Sequence, residues 1–185
     1  MADRKVHTTT MIIGLTGYAR SGKDTVANIL VSNYGYTRVA FADPIREILL
    51  AINPILESGH RLSSMVEDYG WDIAKANPEV RRLLQTLGVG ARTTLDKDIW
   101  ITKALRTLSN GGNYVVTDVR FENEATMLKS LGGQLWRIKR TGIVAYNRHV
   151  SETEMDSYKV DQIFTNNGTI EDLELTVKVW MNGLT

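Results

Sequence analysis

The sequence predicts an α/β protein with a largely parallel sheet, because short apolar runs alternate with helical patterns along the chain. The apolar runs have the length of buried strands and occupy residues 11–15, 36–42, 114–117, 134–139 and 162–165. Helices must cover both faces of such a sheet, which predicts three layers around five strands. A chain of 185 residues is long enough for one domain of this kind with a real hydrophobic core.

The helices are predicted from apolar residues at helical spacing and from end signals. They cover residues 23–33, 79–88, 97–108, 122–131 and the stretch that follows Asn167-Gly168. A further helix starts at Asp43-Pro44, with Asp43 as the N-cap and Pro44 in the first helical position. The C-terminal helix is expected to place Leu173, Val177 and Trp180 on one buried face.

The chain is expected to form one domain with two special regions. Residues 1–10 are polar and predicted to be a flexible tail, and residues 11–185 form the domain. Within the domain, residues 43–110 form a helical part, in which residues 52–78 have the weakest periodicity and are predicted to be short helices and loops. Residues 140–160 are polar and irregular and have the makings of a lid.

Composition excludes several classes of protein. The chain has 22 Lys+Arg and 21 Asp+Glu, so it lacks the excess of cations that binding to a nucleic-acid backbone requires. It has no cysteine, which excludes disulfides and thiolate zinc sites. No apolar run approaches the roughly 20 residues that cross a bilayer. We therefore expect a cytoplasmic protein with neither a nucleic-acid nor a membrane partner.

The strongest motif is the run Gly17-Tyr-Ala-Arg-Ser-Gly22-Lys23, which fits the G-x-x-x-x-G-K pattern of phosphate-binding loops and lies between an apolar strand and a helix. Glycines let the backbone wrap around phosphate oxygens, and the N–H groups at the helix start point at the anion. Lys23 brings a positive charge to the β- and γ-phosphates. The expected ATP-binding residues here are Gly17, Ala19, Arg20, Ser21, Gly22, Lys23, Asp24 and Thr25. The alternative is a glycine-containing turn without a ligand.

Two carboxylates stand where a magnesium ion would need them. Asp24 replaces the usual Ser or Thr after the lysine and can hold Mg²⁺ directly or through water, and Thr25 supplies a hydroxyl one step later. Asp118 ends the apolar strand 114–117, where it either binds Mg²⁺ or orients the acceptor; its alternative role is a helix N-cap. Arg120 follows and either pairs with Asp118 or grips an acceptor phosphate.

Further cations suit phosphoryl transfer, which depends on positioning and charge neutralisation. Strand alternation puts Arg137 and Lys139 on one face, with Arg140 at the strand exit. Arg140 and Arg148 are the expected transition-state cations, and a solvated surface charge is the alternative for each.

An acceptor is expected to contact the helical part of the chain. Arg81 and Gln85 lie at i and i+4 on one helix face, where the Gln can read a base edge while the Arg holds a phosphate. An ordinary solvated helix face is the alternative. Trp71 and Trp100 can stack on a base, although most tryptophans belong to cores. A more distant acidic stretch looks solvated and contains Glu152, Glu154 and Asp156.

A set of motifs occurs in order from about residue 11 to near the end of the chain. It consists of Gly14-Leu-Thr-Gly-Tyr-Ala-Arg-Ser-Gly-Lys-Asp-Thr25, Phe41-Ala-Asp-Pro-Ile-Arg46, Leu84-Gln-Thr-Leu-Gly88, Asp118-Val-Arg-Phe-Glu-Asn-Glu124, His149-Val-Ser-Glu152 and Asn167-Gly-Thr-Ile-Glu-Asp-Leu173. In this set the chain resembles the phage-type deoxynucleoside monophosphate kinases. The Gly-Lys-Asp-Thr variant of the loop is normal for that family.

The resemblance implies a nucleoside-monophosphate-kinase-like P-loop fold, with a helical acceptor-binding part and a lid. It implies ATP-dependent phosphorylation of deoxynucleoside monophosphates (dNMPs) to diphosphates, with ATP as co-substrate, Mg²⁺ as cofactor, and often a homodimer. The catalytic residues would be Lys23, Asp118, Arg120 and Arg140. Further ATP contacts would come from Arg137, Asn167, Gly168 and Thr169. The acceptor would contact Asp43, Arg46, Arg81, Gln85, Trp100, Arg120, Glu122, Arg148 and Glu152.

Two other functions fit part of the sequence. Animal-type phosphomevalonate kinases also use a Gly-Lys-Asp loop and a strand-end Asp-x-Arg. These two features alone therefore do not distinguish a kinase of dNMPs from a kinase of phosphomevalonate. Gln85 and the aromatic residues favour a base over an isoprenoid acid. A non-enzymatic nucleotide switch is the alternative from another class; it would hydrolyse ATP slowly, whereas a kinase forms ADP only when an acceptor is present.

Overall fold

The computed structural model describes residues 10–145 and 149–184, without the side chain of Glu152. Nearly all of the tail predicted at residues 1–10 lies outside these residues. The chain forms two compact units, one made of the residues up to Ala40 and from Ala104 onward, the other of Phe41–Lys103. The strands are β1 (Ile12–Thr16), β2 (Thr37–Val39), β3 (Tyr114–Val116), β4 (Gln134–Lys139) and β5 (Gln162–Thr165). The helices are α1 (Lys23–Tyr34), α2 (Asp43–Ile52), α3 (Leu62–Ala74), α4 (Pro78–Thr94), α5 (Ile99–Leu108), α6 (Glu122–Ser130), α7 (Val150–Thr153) and α8 (Ile170–Asn182).

The five strands form one sheet in the first unit, in the order β2-β3-β1-β4-β5, and every neighbouring pair is parallel. The central strand β1 is buried along its whole length and pairs with β3 on one side and β4 on the other. This confirms the predicted five-stranded parallel sheet. Strand β2 is shorter than predicted, because only Thr37–Val39 pair with β3.

Helices cover both faces of this sheet. Ile13 and Leu15 of β1 belong to a core that also contains Leu30 of α1 and Val177 of α8. Gly14 faces the opposite side, because side chains alternate along a strand. A Cβ at Gly14 would come within 2.7 Å of Leu128 Cδ1, so α6 packs directly on the backbone of β1 there.

The C-terminal helix buries a different stripe from the predicted one. Leu173, Val177 and Met181 are buried, which is an i, i+4, i+8 stripe. Trp180 is 37% exposed and contacts the core only at its edge, with its ring centroid 6.0 Å from that of Phe164. The prediction that Trp180 shares the buried face with Leu173 and Val177 is therefore wrong.

The second unit is helical and has its own core, formed by Leu49, Leu56, Leu62 and Val80. Helix α3 occupies much of the stretch predicted as short helices and loops, and it is interrupted at Gly70, whose φ of 74° and ψ of 167° are not helical. No helix among residues 10–145 and 149–184 is long and apolar enough to cross a membrane.

The start of α2 differs from the predicted N-cap. Ala42 is the N-cap and Asp43 is the first residue of the helix, so Asp43 does not have the predicted capping role. Its carboxylate instead pairs with Arg46 one turn later, at 3.2 Å from Nη1. An acid in the first turn still stabilises the positive end of the helix dipole.

Candidate active site

The loop between β1 and α1 has the conformation of a phosphate cradle. Gly17 has φ 134°, and a Cβ there would lie 2.3 Å from the carbonyl oxygen of Ile138, so the loop begins pressed against the end of β4. Gly22 has φ 104° and is the N-cap of α1. Glycine is therefore required at both ends of the loop. The first-turn N–H groups of α1 point into this loop, where an anion would meet the positive end of the helix dipole.

Lys23 lies across the loop. Its Nζ donates to the carbonyl oxygens of Gly17 and Tyr18, at 2.8 Å each, and the side chain is half-buried. The Oγ of Ser21 is buried and has no hydrogen-bond partner among the described residues. A bound phosphate would supply an acceptor for both groups, which is how an anion completes a cradle of donors.

Asn166, at the end of β5, braces this loop from behind. Its Nδ2 donates to the carbonyl oxygen of Ser21 at 2.9 Å, and its own N–H donates to the Lys139 carbonyl at 2.7 Å. The side chain is 9% exposed. A Cβ at Gly22 would lie 2.2 Å from the same Nδ2, so the amide packs directly against the loop backbone. No local sequence pattern indicates this contact, because it joins residues 145 positions apart.

A cavity of about 350 Å³ opens beside the loop, within the first unit. Seven of the predicted site residues line it, namely Gly17, Ala19, Ser21, Lys23, Arg120, Arg137 and Arg140. The lining also contains residues that were not among the predicted site residues, including Tyr18, Lys139, Ser151 and Asp156. Arg20, Asp24 and Glu122 are exposed, and Thr25 and Asp118 are half-buried; all five lie outside this lining.

The segment after β3 is ordered by a buried acid. Glu124 is 2% exposed, and its Oε2 accepts from the backbone N–H of Arg120 at 2.8 Å and of Phe121 at 3.1 Å. Phe121 is the N-cap of α6, so Asp118 is not the cap of this helix and its alternative structural role does not apply. Glu124 fixes the backbone from which Arg120 reaches the cavity.

The guanidinium of Arg137 donates hydrogen bonds to three backbone carbonyls. Nη1 donates to the carbonyl of Asp156 at 3.1 Å, and Nη2 donates to those of Tyr158, at 2.9 Å, and Met155. The ATP contact expected of Arg137 stays a prediction, and the bonds that the structure shows are structural. They hold residues 154–161, which we call the strap, against β4.

Helix α6 holds the strap from its other side. Glu154 accepts from the backbone N–H of Glu122 at 2.9 Å, Tyr158 shares a hydrogen bond with Thr126 at 3.3 Å, and Asp161 pairs with Lys129. These bonds fasten the second half of the segment predicted as a lid. They also correct the interpretation of Glu154 and Asp156 as a merely solvated stretch, because each makes a specific long-range bond.

Asp156 links the strap to the phosphate loop. Its Oδ2 accepts from the phenol of Tyr18 at 2.9 Å. Partial burial, and then the hydrogen bond to Asp156 and its charge, raise the pKa of the Tyr18 phenol above its ordinary value, although the charge of Arg137 works against this. Tyr18 therefore stays neutral and acts as the donor.

The residues predicted to contact ATP from the loop between β5 and α8 lie against other residues of the protein. Asn167 accepts from the Thr141 N–H and donates to its hydroxyl, both at 2.8 Å. Thr169 is the N-cap of α8 and forms a capping box with Asp172. A Cβ at Gly168 would lie 2.4 Å from Asp172 Oδ2. The ATP contacts expected of Asn167, Gly168 and Thr169 stay predictions.

Several of the predicted acceptor residues belong to the second unit. The guanidinium of Arg46 is held between Asp43 and the ring of Trp71, with its Cζ 5.6 Å from the ring centroid. Arg81 and Gln85 are half-buried on α4, so they do not form the fully solvated helix face that was the alternative to an acceptor site. Trp100 is 4% exposed and its indole N–H donates to the Gly88 carbonyl at 3.0 Å. The prediction of base stacking by Trp100 is wrong, because its ring belongs to a core.

Two predicted residues lie outside this description. Arg148 is not among the described residues, and nothing is described of the Glu152 side chain. Within the described ranges, no three His, Cys, Asp or Glu side chains form a group that could hold a metal by themselves.

A parallel sheet in this strand order, with a glycine-lysine loop after its central strand and cations around the adjoining cavity, defines the class as a P-loop kinase. Dephospho-CoA kinase from Campylobacter jejuni shares this fold, with a TM-score of 0.50 over 96% of this chain and 98% of that one, at 14% identity.

Sequence comparison then gives the family. The model of the family described as deoxynucleotide monophosphate kinase matches residues 11–69 and 58–177. A candidate deoxynucleotide monophosphate kinase of Acanthamoeba polyphaga mimivirus is 32% identical over 88% of this chain and 91% of its own. The deoxynucleotide monophosphate kinase of Enterobacteria phage T4 is 24% identical over 90% of this chain and 97% of its own. The chain belongs to the deoxynucleotide monophosphate kinase family, and it is a phosphotransferase that acts on deoxynucleoside monophosphates.

Proposed function

We propose that the chain transfers the γ-phosphoryl group of ATP to the 5′-phosphate of a dNMP, in the cavity beside the loop that follows β1. The observation that carries this proposal is the combination of loop and cations. Lys23 already lies across a loop whose backbone and Ser21 hydroxyl can bind an anion, and Arg120 and Arg140 line the same cavity. The dNDP that forms would supply the synthesis of deoxynucleoside triphosphates.

The chemistry assigned to these residues is charge neutralisation. An acceptor phosphate oxygen attacks the γ-phosphorus, the bond to the β-γ bridging oxygen breaks, and ADP leaves. Lys23 neutralises the β- and γ-oxygens, while Arg120 and Arg140 hold the acceptor phosphate and the moving group. Glu124 contributes by fixing the backbone of Arg120.

Asp24, Thr25 and Asp118 are the residues that would hold Mg²⁺. Carboxylate and hydroxyl oxygens are the ligands that Mg²⁺ prefers, and it usually keeps several waters and phosphate oxygens in its shell. When bound, the ion would neutralise charge on the phosphates.

The acceptor is proposed to contact the second unit through Arg46, Arg81 and Gln85. Arg46 is held by Asp43 and Trp71, and such a pre-oriented guanidinium suits a phosphate. Gln85 has both a donor and an acceptor for a base edge. Asp43 would act through Arg46.

The assembly and setting are part of the same proposal. By resemblance to the family we propose a homodimer that acts in the cytoplasm on small-molecule substrates without binding nucleic acid. Sedimentation measures the first point, and a gel shift with DNA at moderate salt measures the last; strong DNA binding would contradict it.

A coupled ADP-formation assay tests the function. ATP is offered with a panel of dNMPs, ribonucleotides and phosphomevalonate, and turnover is expected with at least one dNMP. The Lys23→Met variant should lose about 100-fold or more of kcat/KM, because one strong electrostatic contact to the transition state is removed. Lys178→Met on the exposed surface of α8 is the matched control and should keep normal activity. Near-normal activity of Lys23→Met would refute the assignment of the loop.

A further inference from the structure

The cavity beside the phosphate loop contains one group that its expected ligands do not explain. Among the residues that the structure describes, Asp156 is the only carboxylate in a lining that includes Lys23, Arg120, Arg137, Lys139 and Arg140. A carboxylate repels phosphate, so its place among phosphate-binding cations calls for an uncharged or positively charged part of a ligand. Its side chain accepts a hydrogen bond from a neutral phenol, that of Tyr18.

The position of Asp156 is fixed by bonds that do not involve its own side chain. Arg137 donates to the carbonyl of Asp156 itself and to those of Met155 and Tyr158, and Glu154 anchors the start of the strap on α6. A side chain on a segment held in this way loses little conformational freedom when it binds a ligand, which favours binding. The carboxylate is exposed, so a ligand can reach it.

The pair formed by Tyr18 and Asp156 has the chemistry of a hydroxyl-binding site. Their oxygens are 2.9 Å apart. The carboxylate can accept the proton of an incoming hydroxyl, and the phenol can turn to donate to the oxygen of the same hydroxyl. The raised pKa of Tyr18 keeps that donor protonated. A single alcohol thus finds both of its hydrogen-bonding roles satisfied at one point.

We propose that Tyr18 and Asp156 together bind a sugar hydroxyl of a nucleotide substrate. This inference rests on the proposed function, because it assumes that nucleotides occupy the cavity. Two sugars carry this chemistry. A dNMP whose phosphate is at the 5′ position has one free sugar hydroxyl, at the 3′ position, whereas the ribose of ATP has two. The pair would be a specificity determinant for whichever sugar it contacts.

Analogues that lack one hydroxyl test the proposal and separate the two sugars. One arm compares a dNMP with its 2′,3′-dideoxy analogue at saturating ATP, and the other compares ATP with 2′-deoxy-ATP and 3′-deoxy-ATP at saturating dNMP. In one of the two arms, the wild-type kcat/KM should fall about tenfold to 100-fold when the hydroxyl is absent, as expected for a lost hydrogen bond to a charged group.

Variants then assign that discrimination to the pair. Tyr18→Phe and Asp156→Asn should each cut the discrimination to about threefold or less, mainly by losing activity on the hydroxyl-bearing substrate. Tyr158→Phe is the matched control, because it removes a phenolic hydroxyl from the same strap. That hydroxyl bonds to Thr126 and not to Asp156. This variant should keep the wild-type discrimination, and thermal unfolding of all variants checks that they are folded.

Three results would overturn the inference. The first is an active wild-type enzyme that treats every analogue like its parent, and the second is variants whose discrimination equals that of the wild type. The third is an Asp156→Asn variant in which only the magnesium requirement changes, since the carboxylate would then serve the metal. Each of these results leaves the kinase activity itself intact and so differs from a failure of the proposed function, in which no dNMP is phosphorylated.

Discussion

Removing the amide of Asn166 tests how far the phosphate loop depends on its brace. In Asn166→Ala the carbonyl of Ser21 loses its 2.9 Å hydrogen bond in a place where the donor is only 9% exposed. A buried polar group left without its partner costs about 1–3 kcal/mol. We expect the free energy of unfolding to fall by about that amount, because the Ser21 carbonyl loses the hydrogen bond from the Asn166 amide.

The same change should weaken ATP use more than dNMP use. If the loop must be ordered to bind phosphate, a penalty of about 1–3 kcal/mol corresponds to a loss of roughly fivefold to 150-fold in kcat/KM for ATP. Asn166→Asp should be at least as harmful, because it turns a carboxylate toward the Ser21 carbonyl and toward the bound phosphates.

Urea unfolding and steady-state kinetics measure both effects. Asn28→Ala on the exposed face of α1 is the matched control and should change neither stability nor kcat/KM appreciably. An Asn166→Ala enzyme with wild-type stability and a wild-type kcat/KM for ATP would show that the brace contributes nothing to the loop.

Two further changes follow from the structure. Gly17→Ala adds a Cβ that would lie 2.3 Å from the Ile138 carbonyl oxygen, at a residue whose φ is 134°, so the loop must shift. We expect at least a tenfold loss of activity in the ADP-formation assay. Gly90→Ala in α4 is the control for the same assay, because its added Cβ meets open space. A Gly17→Ala enzyme of normal activity would contradict the tight approach of loop and β4. Asp161→Asn should lower the free energy of unfolding by about 1–2 kcal/mol at pH 7. Partial burial alone would raise the pKa of Asp161, but hydrogen bonds from Lys129 and the Leu135 N–H, with the Lys129 charge, hold it below its ordinary value. The charged form therefore stabilises the fold above about pH 4, and this contribution is lost as the pH falls through the lower folded pKa. Urea unfolding of the wild type and of Asp161→Asn at pH 7 and pH 3 measures this contribution. If the difference in stability between the two proteins is as large at pH 3 as at pH 7, the charged form of Asp161 is not its source.

The local patterns of the sequence were sufficient for most of the framework. Strand β4 and strand β5 have the predicted bounds, and the predicted order of elements holds from β1 to α8. Such predictions succeed because apolar periodicity, glycine at a helix end and a glycine-lysine loop depend on residues close together in the chain. The family also follows from ordered motifs of this kind.

The errors occur where packing decides between residues of similar type. Trp100 and Trp71 are equal candidates for stacking in the sequence, but the indole of Trp100 is in a core and Trp71 lies against a guanidinium. Met181 takes the buried position expected of Trp180, because a helix face is fixed by what it packs against. Asp43 fits an N-cap by its type, yet the helix begins one residue earlier.

The sequence alone determined the type of loop, the parallel five-stranded sheet and the kinase family, since each depends on short-range patterns. Only the tertiary structure decided which side chains serve the loop. The contacts of Asn166 with Ser21 and of Asp156 with Tyr18 join residues 145 and 138 positions apart, and Arg137 binds carbonyls that no pattern of residue types can indicate. A hydrogen bond depends on where folding brings two groups, and that placement arises from the packing of the whole sheet and its helices.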